Sequence, residues 1–81
     1  MASYRVFIKP SAAKELEAVG QRRGRERLVE RIRSLGSEPR SHGCEKLSGP
    51  TELYRVRVGS YRIVYSIDDA SSEVLVVKVG H

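Results

Sequence analysis

Leu53-Tyr54-Arg55-Val56-Arg57-Val58-Gly59-Ser60-Tyr61-Arg62-Ile63-Val64-Tyr65-Ser66-Ile67-Asp68 is the stretch that decides the fold. Residues 53–58 alternate in polarity, Gly59-Ser60 supplies two turn residues, and residues 61–67 alternate again, which is the pattern of a β-hairpin. Glycine at the first central position suits a type II′ turn, whose twist matches that of paired strands. A two-residue loop pairs Val58 with Tyr61, Val56 with Ile63 and Tyr54 with Tyr65, a continuous apolar stripe. On the other face it sets Arg57 opposite Arg62, and Arg55 opposite Val64. Like charges opposed across a ladder destabilise it. The two arginines are thus an electrostatic cost that an anionic partner would offset.

Working outward, Tyr4 to Lys9 alternates with Tyr4, Val6 and Ile8 on one side and reads as a first strand. Pro10 stops it, and Ser11 is placed to cap a short helix whose stripe is Ala12, Leu16 and Val19, ended by Gly20. Residues 21–24 form a polar connector. A second helix is expected from about Arg25 to Leu35, with Leu28, Ile32 and Leu35 as its buried stripe, Val29 widening it and Gly36 terminating it. So short a connection implies an antiparallel helical hairpin. Pro39 and Gly43 mark a loop over 37–43, Cys44 to Leu47 is a candidate extended segment, and Ser48-Gly49-Pro50 breaks the chain before the central hairpin. A polar turn over 68–72 leads to a last strand, Val74 to Val79, apolar enough to sit away from a sheet edge. The fold class is therefore α+β: an N-terminal strand, a helical hairpin, then a three-stranded antiparallel meander, with both helices on one face of a mainly antiparallel sheet. The other face is left to Arg55, Arg57 and Arg62.

Eighty-one residues allow one small domain (residues 1–81), and 40% apolar with 31% charged residues describes a chain that folds. The core must be thin, with no Trp and one Phe; Tyr54, Tyr61 and Tyr65 fall on the apolar parity and are expected there. A single cysteine, Cys44, has no disulfide partner, which points to a reducing cytoplasm, and no secretory signal or bilayer-length apolar run is present. His42 and Cys44 are two loop ligands without a second cluster, so they do not make a zinc site. A net charge of +5 favours nucleic acid or an acidic protein as partner. Arg22, Arg23, Arg25, Arg27, Arg31 and Arg33 make the second helix basic, partly balanced by Glu26 and Glu30. That helix is either an ordinary solvated surface or a contact for nucleic acid or an acidic protein segment.

Particular residues in this order resemble the RelE/ParE superfamily of toxins from toxin–antitoxin pairs. They are Ala13-Lys14-Glu15-Leu16, Lys46-Leu47-Ser48-Gly49, Leu53 to Val58, Gly59 to Tyr65, and Val77-Lys78-Val79-Gly80-His81. The basic hairpin ending Tyr61-Arg62-Ile63-Val64-Tyr65 looks more like the RelE ribonuclease branch than the gyrase-poisoning ParE branch. The resemblance implies a cytoplasmic toxin held inactive by an antitoxin, which cleaves messenger RNA in the ribosomal A site without a metal or cofactor. In that chemistry a 2′-hydroxyl attacks the adjacent phosphate, charge builds on the phosphorane, and the leaving 5′-oxygen takes a proton. By alignment with the family motif, Arg57 and Arg62 would grip the scissile phosphate, with Arg55 beside them. Lys46 would reach the RNA, and His81 is the candidate acid, since histidine can donate a proton near neutral pH. Two departures stand out. Relatives carry lysine where this chain has Arg55 or Arg57, and arginine cannot serve as a base. RelE chains also continue past the last strand with an arginine and a tyrosine, and that tail is missing after His81. The expectation is therefore weak or no cleavage by this form. The alternatives are a ParE-like toxin that inhibits DNA gyrase without nuclease chemistry, or a domain of this fold that only binds a partner.

Overall fold

The computed structural model describes residues 3–49 and 52–81. Strand β1 (Arg5–Ile8) leads into helices α1 (Pro10–Glu17) and α2 (Arg22–Ser34), followed by β2 (Glu45–Leu47), β3 (Leu53–Val58), β4 (Tyr61–Asp68) and β5 (Glu73–Gly80). The five strands form one sheet in the order β1-β5-β4-β3-β2. β2 to β5 run antiparallel in sequence order, while β1 lies parallel to β5, with Arg5 beside Glu73 and Ile8 beside Val76. The expected α+β layout holds, and β5 is interior as its composition implied. The sheet gains an edge strand where only a candidate extended segment had been read.

The hairpin register is the one the alternation requires: Val58 with Tyr61, Arg57 with Arg62, Val56 with Ile63, Arg55 with Val64 and Tyr54 with Tyr65. Gly59 takes φ +61° while Ser60 stays out of the left-handed region, as a type II′ turn demands. Tyr54, Val56, Ile63, Tyr65 and Ile67 point under the helices and meet Ala12, Val19, Leu28, Ile32 and Leu35, with Val74, Val76 and Val79 from β5. α1 lies over β5 and α2 over β3. The Tyr54 and Tyr65 rings stack at 5.9 Å. Between Val64 and Tyr65 the β4–β5 register slips, so that Val64 faces Lys78 and Tyr65 faces Val76, leaving Val77 unopposed.

Several local expectations need correction. Ser11 does not cap α1. Pro10 itself is the first helical residue, where its missing N–H costs nothing and its fixed φ is helical, and Lys9 stands at the cap without a side-chain bond. α1 stops at Glu17, so Gly20 is not its terminator; the Val19 N–H closes on the Leu16 carbonyl at 3.2 Å. α2 starts three residues early, taking Arg22, Arg23 and Gly24 from the supposed connector, because arginine is a good helix former and outweighs one glycine. Ile8 is 37% exposed instead of core, being at the end of an edge strand before α1 turns over the sheet. Pro50, part of the expected breaker, lies outside the described residues.

The loop between α2 and β2 is tied down by polar contacts. Pro39 is buried, and its carbonyl accepts a 2.7 Å bond from the Tyr65 hydroxyl. Arg40 grips Asp69 with both arms, at 3.1 and 2.8 Å, and its Nε donates to the Tyr54 hydroxyl at 3.3 Å. The Tyr4 hydroxyl donates to the same Asp69 at 2.6 Å. The Arg40 guanidinium, with Tyr4 second, holds the Asp69 carboxyl below its ordinary range. Burial pushes the Tyr65 phenol up. Among the described residues, no helix is long and apolar enough to cross a membrane.

Candidate functional site

The face of the sheet turned away from the helices carries the charged rows. The strand period of two puts Arg55 and Arg57 of β3 and Arg62 of β4 there together, because their neighbours Tyr54, Val56 and Ile63 are committed to the core. Lys78 of β5 joins them through its register with Val64, and Glu45 of β2 through its register with Arg55. Gly80 stands in register with Arg62 and places no side chain beside it. A pocket of about 140 Å³ on this face is walled by Arg55, Arg62, Val64, Lys78 and His81.

The cations here are not equivalent. Arg55 Nη2 is clasped by Glu45 Oε1, and its side chain is only 29% exposed. Lys78 Nζ lies 3.7 Å from Glu15 Oε2 of α1, whose other oxygen accepts the Val79 N–H at 2.9 Å. Arg5, further along the sheet, is paired with Glu73 at 3.0 Å. Arg57 and Arg62 are exposed and have no carboxylate partner among the described residues. The uncompensated charge of the face thus rests on two exposed arginines that stand opposite one another across the β3–β4 ladder. Such groups present fixed forks of donors that match the oxygens of a phosphate.

Of the residues expected from sequence, the structure brings Arg57, Arg62 and Arg55 together, with Arg55 neutralised in place. His81 reaches the rim of the same pocket, but its ring packs on Tyr61, 4.6 Å between centroids. Lys46 is not brought in. It is in register with Tyr54, hence on the opposite parity to Arg55, and its ammonium lies 3.7 Å from Glu52. Glu45, Lys78 and Glu15 were missed. For Glu45 a signal existed, an acid in the segment before a strand of arginines, whereas the Glu15–Lys78 contact joins parts of the chain with no local relation. No cluster of three or more His, Cys, Asp or Glu able to hold a metal occurs among the described residues.

A family model described as the ParE toxin of type II toxin–antitoxin systems matches residues 6–81. No curated protein sequence matches. Solved structures do. The archaeal RelE–RelB complex from Pyrococcus horikoshii OT3 contains a chain that superposes with a TM-score of 0.85 at 29% identity, covering 96% of this chain and 93% of that one. The RelBE2 toxin–antitoxin complex from Mycobacterium tuberculosis gives 0.84 at 27% identity, with 98% of each chain covered. The intact RelBE complex of E. coli gives 0.81 at 30% identity, covering 96% of this chain and 95% of that one. The sheet order, the helical pair on one face and the family match along nearly the whole length lead to one conclusion: the chain belongs to the RelE/ParE superfamily of type II toxin–antitoxin toxins.

Proposed function

We propose that this toxin is a messenger-RNA endoribonuclease of the RelE kind, acting at the ribosomal A site and restrained by a protein antitoxin. The observation that carries the reading is the opposition of Arg57 to Arg62 on an open sheet face, with neither arginine paired to a carboxylate. Nothing in folding favours that opposition. A phosphodiester does. The RelE–RelB complexes among the similar structures support an antitoxin partner.

In this reading the 2′-hydroxyl of one nucleotide gives up its proton to solvent water and attacks the adjacent phosphorus. The P–O5′ bond breaks as the new P–O2′ bond forms, giving a 2′,3′-cyclic phosphate and a 5′-hydroxyl. Arg57 and Arg62 hold the non-bridging oxygens and stabilise the charge that grows on them. Being permanently protonated, they act only as electrostatic clamps. His81, which lies at the pocket rim, delivers a proton to the leaving oxygen in this reading. No metal takes part.

Primer extension along messages on translating ribosomes tests the proposal. The expected result is cuts within A-site codons that vanish in Arg62→Ala while folding and antitoxin binding persist. Cuts that survive Arg62→Ala would remove the arginine pair from the chemistry. The match to a ParE toxin family favours one second reading, inhibition of DNA gyrase. Intact messages together with blocked supercoiling would establish it instead.

A further inference from the structure

β2 covers only part of β3. Their ladder runs from Leu47 beside Leu53 to Glu45 beside Arg55 and stops, so the rest of β3, Val56 to Val58, is a free edge. The two-residue hairpin fixes which backbone groups that edge presents. Val58 and Tyr61 close the turn by exchanging ladder bonds, and bonding alternates from there. Val56 and Tyr54 therefore bond inward to β4. Arg57, like Arg55 and Leu53, turns its N–H and C=O outward, and among the described residues no strand receives those of Arg57.

Two clefts meet at this edge. One, of about 460 Å³, lies between α2 and the hairpin and is lined by Arg27, Glu30, Arg31, Arg57 and Gly59. The other, of about 480 Å³, continues towards β2 past Arg31, Cys44, Glu45 and Arg57. Arg31 and Arg57 belong to both. Arg31 is held in place by its 2.8 Å bond to Ser41 Oγ and a 3.3 Å bond to the His42 carbonyl. Arg27, one helical turn earlier on α2, has no ion-pair partner among the described residues. Glu30 and Glu45 are the acids on these walls, and Glu45 is already taken by Arg55. The clefts are thus net cationic, and they open from the residue that also stands beside Arg62.

We propose that a single RNA strand bound at Arg57 and Arg62 continues over the free edge of β3 into the α2 cleft, where Arg27 and Arg31 hold a neighbouring backbone phosphate. The proposal rests on the open face being an RNA site and extends it from one phosphate to a track. Continuity through Arg57 is what favours RNA over an acidic peptide: the residue that lines both clefts is also the register partner of Arg62, so a polymer with a charge on every unit is matched at each. The outward N–H of Arg57 adds a donor for a phosphate oxygen between the two. Recognition along the cleft is to backbone charge, hence insensitive to base sequence.

The test uses two oligonucleotides protected from cleavage by 2′-O-methyl groups, a dinucleotide and a hexanucleotide, bound to the full chain over a range of salt. The expected result is a steeper salt dependence for the hexanucleotide. Arg27→Gln should flatten its slope by about 0.7 in log K against log salt, the value for one phosphate contact on a single strand, and leave the dinucleotide unchanged. Arg62→Gln should weaken both. Arg27 is an exposed helix residue, so the variant keeps its fold, checked by circular dichroism. Equal slopes for the two oligonucleotides, or a hexanucleotide indifferent to Arg27→Gln, would overturn the track while leaving the Arg57–Arg62 site intact. Indifference of both probes to Arg62→Gln would overturn the site reading itself. An octaglutamate peptide that binds in an Arg27-dependent way while the hexanucleotide does not would assign the cleft to an acidic protein and overturn the proposal.

Discussion

Arg57 and Arg62 sit opposite one another in a hairpin that would be more stable without the opposition. Replacing Arg62 by threonine, a better strand former, is expected to raise stability by about 0.2–1 kcal/mol while abolishing the binding of phosphodiesters. Urea unfolding would show a higher midpoint at an unchanged m-value, and titration with the protected dinucleotide would show the loss. Glu45 works in the other sense. It occupies the guanidinium of Arg55, which therefore adds little to the charge a ligand meets. Glu45→Gln should free Arg55, tighten binding of the dinucleotide and steepen its salt dependence by about 0.7; an unchanged slope would mean that Arg55 never meets the ligand. The arginine pair was legible from sequence, because hairpin register follows from loop length and a period of two. The neutralisation of Arg55 was not, because it depends on a three-residue strand whose pairing no local pattern specifies.

At the scale of elements, the β3–β4 hairpin and the apolar stripes of the helices were read correctly, since each is a local periodicity. The ends of the helices were not. Proline at the first helical position and a run of arginines around Gly24 both extend helix where glycine and proline alone suggest a break. The loop before β2 was legible only as a loop. Its anchoring depends on the Tyr65 hydroxyl meeting the Pro39 carbonyl, 26 residues away in sequence and fully inside the protein. Tyr65→Phe keeps the ring and its stack on Tyr54 but strands that carbonyl without a donor. A loss of about 1–3 kcal/mol is expected, read as a lower urea midpoint. If the loop then loosens, proteolysis within residues 37–43 should accelerate in step. A variant as stable as the parent would show that water replaces the hydroxyl.

For the molecule as a whole, Asp69 joins the turn before β5 to the chain start and to the α2–β2 loop through Tyr4 and Arg40. Its folded carboxyl titrates below the ordinary value of 3.8, so its contribution is complete above that pH and disappears as pH falls through the depressed value. The stability difference between the parent and Asp69→Asn should accordingly be constant near neutrality and vanish in acid. A gap that persisted at the acid end would refute the ion pair as its source. The closing of the sheet was legible only in part, because the first strand had no local sign of its partner. That partner is β5, which inserts between β1 and β4. Arg5 and Glu73, paired across that join, stand 68 residues apart. At about 5–20 residues per second of synthesis, β1 waits seconds for the strand it needs, while the β3–β4 hairpin can form within microseconds of emerging. The register of the arginine pair is thus set locally and early, whereas the core that holds it rigid closes only once β5 is there to insert between β1 and β4.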